Sequence, residues 1–311
     1  MNLMLGWLKF FPFAYTQGAV RNATEIRGPY FSKPRLNKWI FGDVNFYFDA
    51  PWANPVFGFG GDFWSVDAIK PGGRDILKIQ YLERVYGRGP GPVDAWIKER
   101  FYENTWYFVG QWFSGRKSRL TMRGILNTVA DDSQFKGLSL FHPRVFESAI
   151  ADYFDHSHGY KRSGKRPDCR APLNWRLLPL SDSVQGVKFD LHYIANGGKD
   201  NPELVRVVAF PISSSQFVII YFDMTALLLH DEITTKPTMA LCDSIIESMS
   251  LKVGKKTLSE WEKVKDNCPD MSLAETMGEY QWPLFEEKPS KKPKERDITS
   301  MHGQDWIENK S

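Results

Sequence analysis

Asp155-His156-Ser157-His158, with Cys169 further along, is the densest group of side chains in this chain that could do chemistry. Two imidazoles two residues apart and a thiolate are competent to hold zinc. The sequence fixes no fourth ligand, however, and the spacing fits no standard structural site. The same histidines suit the end of a helix, where a positive imidazole meets the negative end of the macrodipole, and that reading is preferred. A second group, Lys161-Arg162-Ser163-Gly164-Lys165-Arg166 followed by Arg170, could neutralise phosphates, and Arg116-Lys117-Ser118-Arg119 could join it. Only Tyr160 supplies an aromatic ring beside the first cluster, and the formal net charge is a modest +3. A solvated linker is preferred over a nucleic-acid site.

His230-Asp231-Glu232 could perform acid–base work, but with no nucleophile or metal partner it reads as a surface loop, and Asp131-Asp132 carries no more weight. The sequence contains no G-x-S-x-G, H-E-x-x-H or Walker A pattern, and Gly254-Lys255-Lys256-Thr257 lacks the upstream glycine. Gly58, Gly60 and Gly61 lie among Trp52, Phe57, Phe59, Phe63 and Trp64. Their spacing does not match a dinucleotide fingerprint, which leaves a tight aromatic loop, with a ligand cradle as the alternative. No residue is therefore assigned a catalytic, cofactor-binding or metal-ligating role, and no cofactor is expected.

The elements that must position these groups are clearest between Leu173 and Val253. Val187, Phe189, Leu191 and Tyr193 alternate with Lys188, Asp190 and His192, the period of two of a strand with one buried face. After the turn residues Asn196-Gly197-Gly198 comes a second strand, Leu204 to Phe210, whose pairing Pro211 should limit. The third, Gln216 to Phe222, is apolar on both faces and should be central. Pro237 suits a helix first turn, and Met239, Cys242, Ile245, Ile246 and Met249 recur at helical spacing through Leu251, with Gly254 ending the run. A helix on one face of an antiparallel sheet buries both apolar surfaces.

An Asn174-Trp175 opening, successive strands and a helix ending in Ser244-Ile245-Ile246-Glu247-Ser248-Met249-Ser250-Leu251 resemble the Mog1/PsbP-like fold over residues 173–253. The resemblance implies an accessory or toxin-immunity protein that binds a partner and catalyses nothing. It lies in the pattern of elements, so it transfers no site residue.

Hydrophobic residues at 42% and charged residues at 25% are those of a globular protein. Aromatic residues reach 14%, and an aromatic-heavy core is preferred over an aromatic-lined surface. Cys169, Cys242 and Cys268 are odd in number and widely spaced, which argues against a disulfide framework and for a reducing, cytoplasmic location. Residues 1–15 are apolar but too short to span a bilayer and lack a signal peptide's basic start. They read as a packed segment, with interfacial membrane anchoring as the alternative.

Along the rest of the chain, Val44 to Phe48, Ile76 to Leu82, Thr105 to Phe113 and Leu120 to Val129 read as strands. A helix is predicted from Pro92 on the stripe Val93, Trp96, Ile97 and Phe101, and another from Pro143 to near Gly159. Thr257 to Glu260 and Ser272 to Glu275 match capping boxes and imply two short helices. The resulting expectation is an α+β protein of two similarly built halves, each an antiparallel sheet packed with helices. An N-terminal arm covers 1–40, the halves 41–154 and 173–285, a basic linker 155–172 and a charged tail 286–311. Trp306 and Ile307 are the tail's apolar docking residues. The expected function is non-catalytic binding of another protein. The alternatives are a metal-dependent hydrolase using His156 and His158, and a peripheral membrane protein anchored by residues 1–15.

Overall fold

The computed structural model describes residues 34–51, 77, 96–109, 116–159, 169–193, 204–224 and 232–280, without the side chains of 109, 116, 117 and 232–234. All the described residues belong to the compact unit of residues 1–280; residues 1–15 and the tail 286–311 lie outside the described residues.

The chain is α+β, with two antiparallel sheets and three described helices. Strands β1 (Arg35–Phe41) and β2 (Val44–Ala50) make a hairpin, and β9 (Ser250–Lys252) pairs with the free side of β2. The larger sheet contains β3 (Trp96–Val109), β4 (Arg116–Val129), β5 (Cys169–Pro179), β6 (Gln185–Tyr193), β7 (Leu204–Ser213) and β8 (Gln216–Met224). Its order is β3-β4-β8-β7-β6-β5. The β4–β8 pairing joins strands from either side of residues 155–172, so both stretches of chain contribute to one sheet. Of those residues, 155–158 close a helix and 169–172 open β5, while 160–168 lie outside the described residues.

Two layers cover the larger sheet, and the parity of the strands decides which residue meets which. Val208, Phe210, Val218, Ile220 and Phe222 belong to one dry core with Phe46, Phe48 and the helix α2 (Glu232–Glu247), which contributes Leu241, Cys242, Ile245 and Ile246. Phe46 meets Phe210 at 5.1 Å between ring centroids, joining the two sheets. On the opposite face lies α1 (Pro143–His158), whose Phe146 and Tyr153 rings stand edge-on to Phe217, and whose Phe154 stands edge-on to Phe189. This explains the apolar run of β8: its odd and even residues face different layers, and Phe217 through Phe222 are all buried.

Several sequence expectations change. The stretch from Trp96 to Phe101 is strand, not helix; residues 92–95 lie outside the described ones. A bulge between Arg100 and Tyr102 puts Phe101 and Tyr102 on the same side, in the core with Trp39, while Ile97 is 49% exposed. Trp96 packs against Phe217 on one face and Phe101 against Trp39 on the other, so a strand covered on both faces imitated helical spacing. Gly124 on β4 permits the bulge's packing, since a Cβ there would lie 2.5 Å from the Phe101 ring. Pro211 does not end β7, which slips register at that point and pairs on to Ser213 opposite Gln216.

The predicted helix 237–251 is shifted: α2 contains Pro237 in its interior and stops at Glu247. Ser248 donates to the Ile245 carbonyl (2.7 Å) and accepts from the Asp49 amide (2.9 Å), which turns the chain into β9. Leu251 is therefore a strand residue opposite Phe46. The first predicted short helix exists as α3 (Lys255–Asn267), but Gly254 rather than Thr257 is its N-cap residue. Asp43 supplies the cap from the β1–β2 turn, accepting from the Thr257 amide (3.1 Å) and hydroxyl (2.5 Å). The second does not form. Asp270 accepts both the Ser272 amide (2.9 Å) and hydroxyl (2.5 Å), and the segment runs on without regular structure. Of the predicted strand 76–82 only Leu77 is described, and Trp112 and Phe113 lie outside the described residues.

No helix among the described residues is long and apolar enough to cross a membrane.

Candidate functional site

The C-terminal end of α1 carries the group that the sequence brings forward. Asp152, buried at 7% exposure, accepts from the Trp96 indole (3.0 Å) and the Gln134 amide (3.1 Å). His156 Nδ1 lies 2.9 Å from the Asp152 carbonyl oxygen, which can only accept, so Nδ1 carries the proton; the Asp152 carboxylate is 3.3 Å away. His158 stacks on Phe154 and meets the edge of Tyr193, and the Cys169 side chain is buried. Among the described residues no three His, Cys, Asp or Glu side chains are placed to hold a metal ion.

Ser157 accepts from Lys98 Nζ at 3.1 Å, a pairing that could suggest a nucleophile and its base. Yet the Lys98 ammonium also lies 4.6 Å from the centre of the Tyr153 ring, at the carbonyl end of α1. Ring face and helix terminus both attract positive charge. Such a site holds a donor beside Ser157 rather than a proton acceptor.

The other flagged residues are dispersed. Arg170 forks onto Glu279 with two bonds of 2.7 Å, and that contact raises its pKa. Lys161 to Arg166, His230, Asp231 and the Trp52 to Trp64 loop lie outside the described residues, as do the Arg116 and Lys117 side chains. Ser118 exchanges a hydrogen bond with Thr238, and Glu232 opens α2. Asp131 pairs with Lys136 at an exposed turn.

Two groupings were not visible in the sequence. Asp190, assigned by alternation to a solvated face, is 4% exposed and bonds Arg206 Nε at 2.9 Å. Asn174 reaches its other oxygen (2.9 Å), and Arg206 continues to Asp243 on α2 (2.5 Å). Burial opposes the charge on Arg206, but the Asp190 bond outweighs it and the pKa is raised. Burial also lowers the pKa of His192 on the same face. An arginine inside the run Val205-Arg206-Val207-Val208, facing an acid on the preceding strand, was the available signal. This network docks α2 onto the sheet.

The second grouping lines an open cleft of about 270 Å³ at the N-terminal end of α1. Phe141 and Pro143 form one wall, Asp182 in the β5–β6 turn another, and Trp261 of α3 with Asp270 the rest. The far wall is anchored: Glu147 of α1 accepts the Ala274 amide (2.6 Å), and the Ala274 carbonyl accepts the Trp175 indole (2.8 Å). Ser272's hydroxyl, then its amide, lower the Asp270 pKa, so the carboxylate is ionised at neutral pH. Asp182 accepts no hydrogen bond from the described residues, nor does Asp270 Oδ2, and the Trp261 indole N–H donates to none of them. The Ser272 hydroxyl and amide share Asp270 Oδ1, a contact that closes the local turn, and the cleft offers carboxylates, an indole and apolar walls, the means to bind a donor-rich or cationic group. A lone tryptophan on a charged helix was the only sequence signal.

No protein-family model matches the chain, and no curated protein matches it.

Proposed function

We propose that this protein acts by binding another protein, as an accessory or immunity-type protein, and that the cleft at the N-terminal end of α1 makes the contact. The observation that carries this reading is the contrast in hydrogen bonding. Asp182, the outer oxygen of Asp270 and the Trp261 indole N–H have no hydrogen-bond partner among the described residues, and the wall beyond Asp270 is anchored through Ala274. Polar groups held ready on rigid supports lower the ordering cost of association. The similarity of residues 173–253 to the Mog1/PsbP-like pattern supports the same reading. The test is affinity capture from the native host with the full chain and with Trp261→Ala, read by mass spectrometry. A defined protein retained by the parent and lost from the variant, whose circular dichroism shows it still folded, is expected. Identical retention by both would overturn the assignment of the cleft.

A further inference from the structure

Resting on the protein-binding reading above, we infer that the cleft is a guanidinium site, receiving an arginine side chain from a basic segment of the partner. Size comes first. Pockets that enclose whole small molecules or cofactors span roughly 300–1,000 Å³. A cleft of about 270 Å³ that is open to solvent lies at the lower end of that range, a size that one or two side chains of a larger ligand can fill.

Charge selects among side chains. Asp182 and Asp270 both line the cleft, and the nearby Arg144 is already turned onto Glu147 at 2.6 Å. Asp270 Oδ1 is fixed by Ser272, which holds the carboxylate in one orientation and leaves Oδ2 for a guest. The Trp261 ring already attracts a cation in this fold, with Lys265 Nζ 5.2 Å from its centre. A carboxylate and an aromatic face together favour guanidinium over ammonium. The planar fork can stack on the ring while donating two parallel hydrogen bonds, which a point charge cannot do. The apolar walls at Phe141, Pro143 and Pro211 suit the methylene stem.

The experiment is an NMR titration of the ¹⁵N-labelled full chain with acetyl-Pro-Arg-Pro-amide. The indole N–H resonance of Trp261 is identified by its loss in Trp261→Phe. A saturable shift of that resonance is expected, at least tenfold weaker with acetyl-Pro-Gln-Pro-amide and tenfold weaker in Asp182→Asn/Asp270→Asn. Asparagine at 270 can still accept from Ser272, so the variant keeps the local turn. The inference is overturned by no saturable shift, by equal response to the glutamine peptide, or by unchanged affinity in the double variant. Should the peptide fail while Trp261→Ala still releases a captured protein, only the guanidinium assignment falls. Should the peptide bind while no protein is captured, the partner reading falls instead.

Discussion

The two ends of α1 carry similar kinds of side chain and treat them differently. At the C-terminal end, Asp152 holds Trp96, Gln134 and His156, Lys98 holds Ser157, and His158 lies against two aromatic rings. At the N-terminal end, Asp182, Asp270 and Trp261 surround a cleft and keep hydrogen-bonding capacity in reserve. The lesson is that a dense polar group in sequence is often a packed interior. Sparser residues, brought together by three separate elements, leave room for a ligand.

The dry face of the sheet sets the scale against which that contrast is measured. Ile245→Asp places an unpaired charge among Ile220, Phe222 and Ile246 in the dry core, and should cost about 4 kcal/mol or more. An unchanged melting temperature would show that α2 does not pack there. Asp152→Ala comes next, at about 2–3 kcal/mol, because it leaves the Trp96 indole and the Gln134 amide without their acceptor. Urea denaturation measures it, and a loss within error of zero would break the comparison. Zinc copurifying near one equivalent, and absent from His156→Ala/His158→Ala, would break it from the other side.

Asp43→Ala removes the cap of α3, the helix that carries Trp261, and should cost about 1 kcal/mol at neutral pH. Burial alone would raise the Asp43 pKa, but the Thr257 hydroxyl and amide bonds prevail and lower it. Its stabilisation is therefore complete above the unfolded carboxylate value of about 3.9 and is lost as pH falls further, through the folded value. The gap between parent and variant should close below about pH 4 in acid titrations followed by circular dichroism. A gap that persists at lower pH would mean the cap does not depend on ionisation. The smallest effect belongs to the cleft: the exposed Asp182→Asn should change stability by no more than about 0.5 kcal/mol, while capture of a partner is lost. A large stability loss from Asp182→Asn would make that end structural as well.

Much of the architecture was legible. The strands at Val44 to Phe48 and Val187 to Tyr193, the doubly apolar β8 and the helix from Pro143 each appear in the structure, although burial of Asp190 shows that β6 is covered on both faces rather than one. The failures share a cause. Trp96 to Phe101 looked helical because β3 is covered on both faces there, Trp96 packing against Phe217 and Phe101 against Trp39, which places apolar residues at both strand parities. Leu251 looked like the end of a helix because its partner Phe46 lies at the other end of the chain. Thr257 looked like its own cap because the capping carboxylate belongs to Asp43.

The sequence by itself therefore determined the α+β class and most strand and helix positions, since periodicity records burial within a few neighbouring residues. Only the tertiary structure decided which polar groups bond one another and which line an open cleft. Arg206 meets Asp190 across a strand pair and Asp243 across a layer, whereas Asp182 and Asp270 Oδ2 accept no hydrogen bond from the described residues. Hydrogen bonds and ion pairs form between groups at contact distance in space, and no spacing along the chain encodes that distance.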